Sequence, residues 1–185
     1  MRKSIIEEQI SVPIGYSLAL MAAYGILLSE LINALNRIII HESLGQLYDL
    51  FMRFGFIIYI LSVVSVWVAT TLIIHLSALL LDGKCSLQRF FRVSAFPNIV
   101  NIISIIVGLY LCSRIPHNID NLSELASTRN VLIIKAILNW STIPYLLAYC
   151  VQVKVLYKLS WIKAFLSVAI PFGAILCLSE LFRFV

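Results

Sequence analysis

The chain has 185 residues, of which 61% are hydrophobic and only 12% charged, and its formal net charge is +5 at pH 7. A water-soluble domain is about half apolar and a quarter charged. This composition therefore excludes an ordinary soluble domain and indicates an integral membrane protein whose surplus apolar surface faces lipid. No basic run or nucleic-acid-binding motif accompanies the positive charge. We assign that charge to membrane topology and lipid headgroups and expect no nucleic-acid partner.

The apolar segments predict an all-α integral membrane bundle of five transmembrane helices in one domain. A helix crosses the hydrocarbon core of a bilayer with about 20 residues. The segments that meet or approach this length are residues 12–35, 54–81, 96–112, 131–153 and 164–182. Glu7 and Glu8 interrupt the basic N-terminus, and no small-residue cleavage site follows the first segment. We therefore predict that the first segment is an uncleaved membrane helix.

The connections between these segments alternate in character. The first, residues 36–53, is predicted to hold a short amphipathic helix that starts with a capping box of Ser43 and Gln46. The third, residues 113–130, is the longest polar segment and is expected to cover an aqueous end of the bundle. The second and fourth connections are short and basic, and they determine the predicted orientation.

The distribution of charge predicts the topology. The N-terminus and the second and fourth connections carry eight Lys and Arg and three acids, a net charge of 8 − 3 = +5. The opposite side carries six of each, a net charge of 6 − 6 = 0. Because basic residues are retained on the cytoplasmic side, we predict an N-terminus inside and a C-terminus outside.

The second connection is the most distinctive stretch of the chain. The pair Asp82-Gly83 predicts a turn, Ser86 is placed to cap a helix start, and Pro97 opens the next apolar segment. Between them, one helical face carries Gln88, Arg89 and Arg92, and the other carries Leu87, Phe90, Phe91 and Ser94. We predict an interfacial helix with its rings in the acyl boundary and its guanidinium groups on lipid phosphates.

The fourth connection repeats this pattern at a constant offset. Aligning Ser86 with Ser160 pairs Lys84 with Lys158, Arg89 with Lys163, Phe91 with Phe165, Ala95 with Ala169 and Pro97 with Pro171. We therefore predict that Ser160 also caps a helix start and that Pro171, like Pro97, marks the corner where the chain enters the membrane. We interpret helices two and three and helices four and five as a parallel duplicated pair, with helix one extra. Chance similarity between apolar segments is the alternative. The candidate motif facing a partner or lipid headgroups comprises Gly83, Lys84, Ser86, Arg89, Arg92, Pro97, Lys158, Ser160, Lys163 and Pro171.

These residues resemble the Yip family, membrane proteins that interact with Ypt/Rab GTPases and have prokaryotic relatives. The resemblance rests on Leu80-Leu81, Gly83-Lys84, Ser86, Phe90-Phe91-Arg92-Val93, Ala95 and Pro97, and on Leu159-Ser160-Trp161, Lys163-Ala164 and Pro171. Eukaryotic members carry a long cytosolic N-terminal region, whereas about ten residues precede the first segment here, so the chain is similar to the short prokaryotic type. The location that this resemblance leads us to expect is the cytoplasmic (inner) membrane of a prokaryote. This resemblance implies five helices and a non-enzymatic role, such as companion of an ABC-type exporter.

Ionisable and amide residues inside the apolar segments are the candidate intramembrane sites, because such residues are costly in lipid and often functional. They are Glu30, His75, Asn98, Asn101, Lys135, Asn139 and Glu180. Glu30, Lys135 and Glu180 either form an ion-paired cluster or reach water at an interface. His75 is interpreted as a packing residue rather than a proton relay. The asparagines are interpreted as interhelical hydrogen-bond donors rather than ligands.

Stripes of small residues recur at every fourth position in the first, third and fifth segments. They are Gly15, Ala19 and Ala23; Ser104, Gly108 and Cys112; and Ala169, Gly173 and Cys177. Such stripes let helices approach closely. Either all three pack within one bundle, or one is left facing lipid as a docking surface.

Motifs for chemistry fail on inspection, and we expect no catalytic residue, metal site or cofactor. His41-Glu42-Ser43-Leu44-Gly45 lacks the second histidine of a zinc-protease helix, and Gly83-Lys84 lacks the rest of a phosphate-binding loop. The four cysteines form no C-x-x-C pair, and Cys112, Cys150 and Cys177, which lie in or at the ends of apolar segments, are expected to be buried thiols. The sequence favours a non-enzymatic scaffold or accessory subunit that binds a transporter subunit or another copy of itself. A small channel or carrier is the alternative, and a membrane enzyme ranks third.

Overall fold

The computed structural model describes residues 13–39, 45–115 and 122–183, and in this part of the chain every regular element is a helix. The elements are α1 (Ile14–Ile39), α2 (Gly45–Leu80), α3 (Leu87–Phe91), α4 (Asn98–Cys112), α5 (Leu122–Ser127), α6 (Arg129–Tyr157) and α7 (Trp161–Arg183). The predicted all-α class is confirmed.

Three helices are long and apolar enough to cross a membrane. These candidate spans are Ile14–Ile38, Phe54–Leu80 and Arg129–Tyr157, and the shorter apolar helices are Asn98–Cys112 and Trp161–Ala174. Their outward surfaces are strongly apolar, with Leu80 at 85%, Ile162 at 74% and Trp140 at 70% exposure. In water such a surface would be strongly unfavourable. The coarse prediction of a membrane-type helical chain therefore holds for the described residues.

The helix boundaries differ from the predicted ones in the first connection, part of which is continuous with the second apolar segment in a single helix. The segment expected to form a separate amphipathic helix instead belongs to α2, which runs without interruption for 36 residues from Gly45. The predicted capping residue Ser43 lies outside the described residues. In the third connection, α5 occupies Leu122–Ser127, and residues 116–121 are not described.

The chain divides into two compact units. Unit 1 contains the described residues up to Leu18, Val66–Pro97 and those from Leu146 onward, whereas unit 2 contains Ala19–Ser65 and Asn98–Tyr145.

Unit 2 has an apolar core. The core comprises Leu31, Ile38, Ile105, Cys112, Ile115, Leu125 and Ile134. At Gly108 the backbone of α4 lies close to side chains of two other helices. An added Cβ there would lie 3.4 Å from Leu31 and 3.6 Å from Ile134. At Gly25 an added Cβ would come within 2.9 Å of the Ile60 backbone. Shape and dispersion contacts between helices therefore hold this core. Unit 2 also buries polar side chains, among them Ser29, Asn33 and Ser141.

Unit 1 buries polar groups among its apolar ones. Its fully or nearly fully buried side chains include Ser17, Trp67, Thr71, His75, Ser94, Tyr149, Gln152, Tyr157 and Ser167. Burying polar groups costs free energy unless they are hydrogen-bonded, so the partners of these groups determine what unit 1 does. They meet around the segment that the sequence marks as its most distinctive stretch.

Candidate functional site: two corners and an anchored turn

The first corner, residues 81–97, begins with a tight helix end. Asp82 has a positive φ of 70°. Its N–H donates to the Leu79 carbonyl at 3.1 Å, and the Gly83 N–H donates to the Ala78 carbonyl at 2.9 Å. These are the two bonds of a Schellman motif. A Cβ on Gly83 would lie 2.6 Å from the Ala78 oxygen and 2.8 Å from the Tyr157 ring. Only glycine fits this position.

The second corner, residues 158–163, ends α6 in the same way. Lys158 has a φ of 56°, and the Leu159 N–H donates to the Lys154 carbonyl at 3.2 Å. Both corners then restart a helix with a serine cap. The Ser86 Oγ accepts from the Arg89 N–H at 3.4 Å, and the Ser160 Oγ accepts from the Lys163 N–H at 3.3 Å. The two predicted serine caps are thus confirmed.

The two corners are joined to each other. The Lys163 Nζ lies 2.6 Å from the Asp82 carboxylate, and the Lys84 N–H donates to the Tyr157 carbonyl at 3.3 Å. The hydrogen bond and charge of Lys163 hold the pKa of Asp82 below its usual value. The Asp82 side chain is 83% exposed and that of Lys163 is 43% exposed, so water screens the ion pair and it contributes little to stability. It does show that the predicted corners meet at one place.

Residues 92–97 form turns rather than helix, and three of their carbonyl groups accept hydrogen bonds from side chains of other helices. The Arg92 carbonyl accepts from the Ser17 Oγ at 2.8 Å. The Val93 carbonyl accepts from the Gln152 Nε2 at 3.0 Å, and the Ser94 carbonyl accepts from the Tyr149 hydroxyl at 2.7 Å. Non-helical backbone at membrane depth is tolerated only where protein groups satisfy it. We call this segment, with its three donors, the anchored turn.

The side chain of Ser94 adds two further links to α2. Its Oγ accepts from the Trp67 indole N–H at 3.0 Å and from the Thr71 hydroxyl at 3.1 Å. The Ser94 hydroxyl itself donates to the Phe91 carbonyl at 3.3 Å. The Phe91 ring packs edge-on against Trp67 with centroids 5.3 Å apart. A single serine thus joins the corner to two consecutive turns of the long helix.

The predicted lipid-facing orientation of the corner rings is wrong for Phe90. Its side chain is fully buried and packs edge-on against Tyr157 with centroids 5.4 Å apart. The Tyr157 hydroxyl is in turn 2.5 Å from the Nδ1 of His75. The rings turn inward because the corner has its own apolar partners in α6 and α2. His75 is buried as part of this packing, consistent with its interpretation as a packing residue.

The candidate motif divides into exposed and buried members. Lys84, Ser86, Arg89, Lys158 and Ser160 are exposed, and Arg92 and Lys163 are half-buried. Gly83, Pro97 and Pro171 are buried and therefore do not face a partner or a headgroup.

The prediction that Pro171 marks a corner, as Pro97 does, is wrong. Pro97 directly precedes α4, but Pro171 lies inside the continuous helix α7. Both serine caps stand eleven residues before their proline, but α3 ends at Phe91 whereas α7 continues through Pro171. Proline is tolerated within helices that neighbouring groups compensate. The two corners therefore share their helix ends and caps but not their proline geometry.

The candidate intramembrane residues also divide into exposed and buried members. Glu30, Lys135 and Asn139 are exposed, His75 and Asn98 are buried, and Asn101 is half-buried. The side chain of Glu180 lies outside the described part. Asn101 donates to the Asn98 side chain and accepts from Ser141, each at 3.4 Å. Asn101 thus bonds to another helix as an acceptor, and its bond as a donor lies within α4. The expected role of interhelical donor is not what these two bonds show. No ion pair joins Glu30 and Lys135 in the described chain.

The small-residue stripes also have different environments. Ser104, Gly108 and Cys112 are all buried, whereas Gly15 and Ala19 are exposed. A Cβ on Gly15 or Gly173 would meet nothing within 4 Å. The expectation that all three stripes pack within the bundle therefore holds only for α4 among the described residues. Cys112 and Cys150 are buried free thiols, as predicted, and Cys85 is a half-buried one whose pKa is raised by burial.

The sequence interpretation missed the donors that hold the anchored turn. Ser17, Trp67, Tyr149 and Gln152 were not among the candidate residues. One signal was present, because Trp67, Thr71 and His75 recur at every fourth position and so share one face of α2. Their partner could not be identified from spacing alone.

These elements define a helical membrane-type chain whose two serine-capped corners meet beside an anchored turn. Comparison with known proteins does not narrow this class further: no family model, curated protein or solved structure matches the chain.

Proposed function

We propose that this chain is a multi-pass integral membrane protein acting as a non-enzymatic scaffold or accessory subunit of a transporter, such as an ABC-type exporter. It resides in the inner membrane of a prokaryote with its N-terminus inside. All five long or apolar helices are embedded, and the two helix pairs flanking the corners are a parallel duplication. The resemblance of the corner residues to the Yip family supports this assignment.

The observation that carries the proposal is the use of buried polar groups in unit 1. Ser17, Tyr149 and Gln152 donate to the carbonyls of the anchored turn, and Trp67 and Thr71 donate to Ser94. Groups engaged in this way hold backbone in place and are not free to bind a substrate. A rigid corner of this kind suits a protein whose task is to present a fixed surface.

The outward surface supports a role in the bilayer. Large apolar side chains along α2, α4 and α6 are exposed, including Leu61, Ile103 and Leu147. The exposed cations Lys84 and Arg89 lie at the first corner, where they are available to an acidic cytoplasmic surface of a partner. Lys84 and Arg89 belong to the first corner, which also contains the anchored turn. The anchored turn would therefore hold in place the surface to which the partner binds.

Reciprocal co-purification tests this proposal. The tagged chain should retain a membrane ATPase, the tagged ATPase should retain the chain, and deletion of the chain should lower export by that ATPase. Lys84→Glu with Arg89→Glu should weaken co-purification about tenfold or more by reversing two interfacial charges. Lys135→Glu is the matched control, because it reverses an exposed charge outside the corner. Equal retention by all variants would count against the corner as the docking site.

A small channel or carrier remains the second candidate, for one specific reason. The Oε1 of Gln152 is buried without a partner among the described residues, and the His75–Tyr157 pair lies in the same unit. Polar groups inside a membrane often mark a transport path. Purified chain in liposomes would carry a solute flux that falls in Gln152→Leu if this second function is correct. Such a flux would overturn the accessory role.

A further inference from the structure

We propose that Lys154, Lys158 and Trp161, which we call the second-corner patch, bind the phosphate of an anionic phospholipid headgroup. This inference rests on the membrane placement in the proposed function and goes beyond it by naming a ligand. Neither Lys154 nor Trp161 belongs to the motif that the sequence singled out.

The geometry holds a cation at the edge of an apolar surface. The Lys154 Nζ lies 3.9 Å from the centroid of the Trp161 ring, a cation–π contact that fixes the ammonium group. Trp161 is itself 56% exposed. Tryptophan is enriched where acyl chains meet headgroups, because its ring is apolar and its N–H is polar. The Trp161 ring and the Lys154 ammonium group would therefore both lie at the depth where acyl chains meet headgroups.

The charges around the patch are unbalanced. Lys163 is paired with Asp82, but Lys154 and Lys158 have no carboxylate partner among the described residues. Lys158 is exposed and held by the backbone at the end of α6. Two cations without a counter-charge at a membrane surface attract an anionic lipid.

The apolar side of the patch indicates a lipid rather than a soluble acidic partner. Ile162 and Phe165 are exposed directly beyond Trp161. An acidic peptide would neutralise the lysines and leave these side chains uncovered in part. A phospholipid covers both surfaces with one molecule, since its phosphate meets the ammonium groups and its acyl chains meet the apolar side chains.

Fluorescence quenching by brominated lipids tests this assignment. Full-length Trp140→Phe retains Trp161, and Trp161→Phe retains Trp140, which is also exposed. Both keep Trp67, which is buried and provides the same background. Each protein is placed in vesicles of one phosphatidylcholine and phosphatidylglycerol mixture. Bromine is carried at equal mole fraction by either the zwitterionic or the anionic lipid, so the total composition never changes.

We expect brominated phosphatidylglycerol to quench Trp161 at least about twofold more than brominated phosphatidylcholine, because two unpaired cations enrich the anionic lipid locally. Trp140 should show no such excess. Lys154→Gln with Lys158→Asn should remove the excess at Trp161, and Lys135→Gln should leave it unchanged. Asparagine is chosen for position 158 because it tolerates the positive φ there.

The possible outcomes separate the two proposals. Equal quenching by the two lipids, an excess that also occurs at Trp140, or an excess that survives the double substitution would each overturn the headgroup site. Absence of quenching by either brominated lipid would overturn the membrane placement itself. Retention of quenching by brominated phosphatidylcholine in the double variant shows that the protein still inserts.

Discussion

Unit 1 and unit 2 stabilise helices by different means. Unit 2 packs continuous helices through Leu31, Gly108 and Ile134, with close backbone approach and apolar contact. Unit 1 contains the anchored turn, where the chain leaves the helical conformation, and it buries the donors that this turn requires. The difference teaches that irregular backbone in an apolar setting determines where polar side chains are needed.

The largest effect on stability is expected at Gly83, whose surroundings leave no room for a Cβ. Gly83→Ala would force a Cβ against the Ala78 carbonyl oxygen and the Tyr157 ring, so both corners must shift. Overpacking of this kind costs about 3 kcal/mol, and we expect a large fall in the temperature of unfolding in detergent. Gly15→Ala is the control, since its Cβ meets nothing within 4 Å. Equal stability of the two variants would contradict the tight packing at the first corner.

A glycine in unit 2 sharpens that comparison. At Gly108 an added Cβ would meet only side-chain ends, those of Leu31 at 3.4 Å and of Ile134 at 3.6 Å, so a small rotation relieves the contact. Gly108→Ala should therefore cost less than Gly83→Ala. The ranking follows from what each Cβ meets, a backbone oxygen in one case and a flexible side chain in the other.

The next effect concerns the donors of the anchored turn. Tyr149→Phe removes the hydroxyl that binds the buried Ser94 carbonyl, and an unsatisfied buried acceptor costs about 1–3 kcal/mol. We expect a corresponding loss of stability and faster hydrogen exchange in residues 92–97. The measurement is thermal unfolding together with exchange detected by mass spectrometry.

The control for Tyr149→Phe comes from unit 2. The Ser104 hydroxyl donates to the Val100 carbonyl one turn earlier in its own helix. Ser104→Ala removes a hydrogen bond but leaves no orphaned carbonyl, because helix carbonyls already accept a backbone N–H. Its effect should be small. If the two variants lose equal stability, the anchored turn does not depend on its long-range donors.

The sequence predicted the local parts of this site and not its long-range parts. Ser86 and Ser160 were identifiable as caps because a cap depends on residues within one turn. The partners of Ser94 lie 27 residues away at Trp67 and 55 residues away at Tyr149. Hydropathy and helical spacing carry no information about which helices become neighbours. The inward turn of Phe90 was missed for the same reason.

Pro171 illustrates a different limit. The alignment of the two corners predicted the same role for Pro171 as for Pro97, but the backbone around Pro171 is helical. A proline restricts its own φ and the preceding residue, but it does not by itself determine whether a helix begins at that position. In both corners the serine cap stands eleven residues before the proline, 97 − 86 = 11 and 171 − 160 = 11, so the cap does not explain the difference. The difference lies between cap and proline, because α3 ends at Phe91 and turns follow it, whereas α7 continues through Pro171.

The smallest expected effect is the pH dependence of the link between the corners. Lys163 lowers the pKa of Asp82 below its usual value, so the folded state binds that proton less readily than the unfolded state. The stabilisation is then fully present above the unfolded-state pKa of about 4 and is lost as the pH falls through the lower folded-state value. Asp82→Asn should remove this dependence and change stability little at neutral pH, because the pair is exposed. Unfolding temperatures of the two proteins, compared between neutral and acidic pH, check this expectation. A large destabilisation at neutral pH would mean that the ion pair holds the corners together, whereas a small one assigns that role to the buried bonds of the anchored turn.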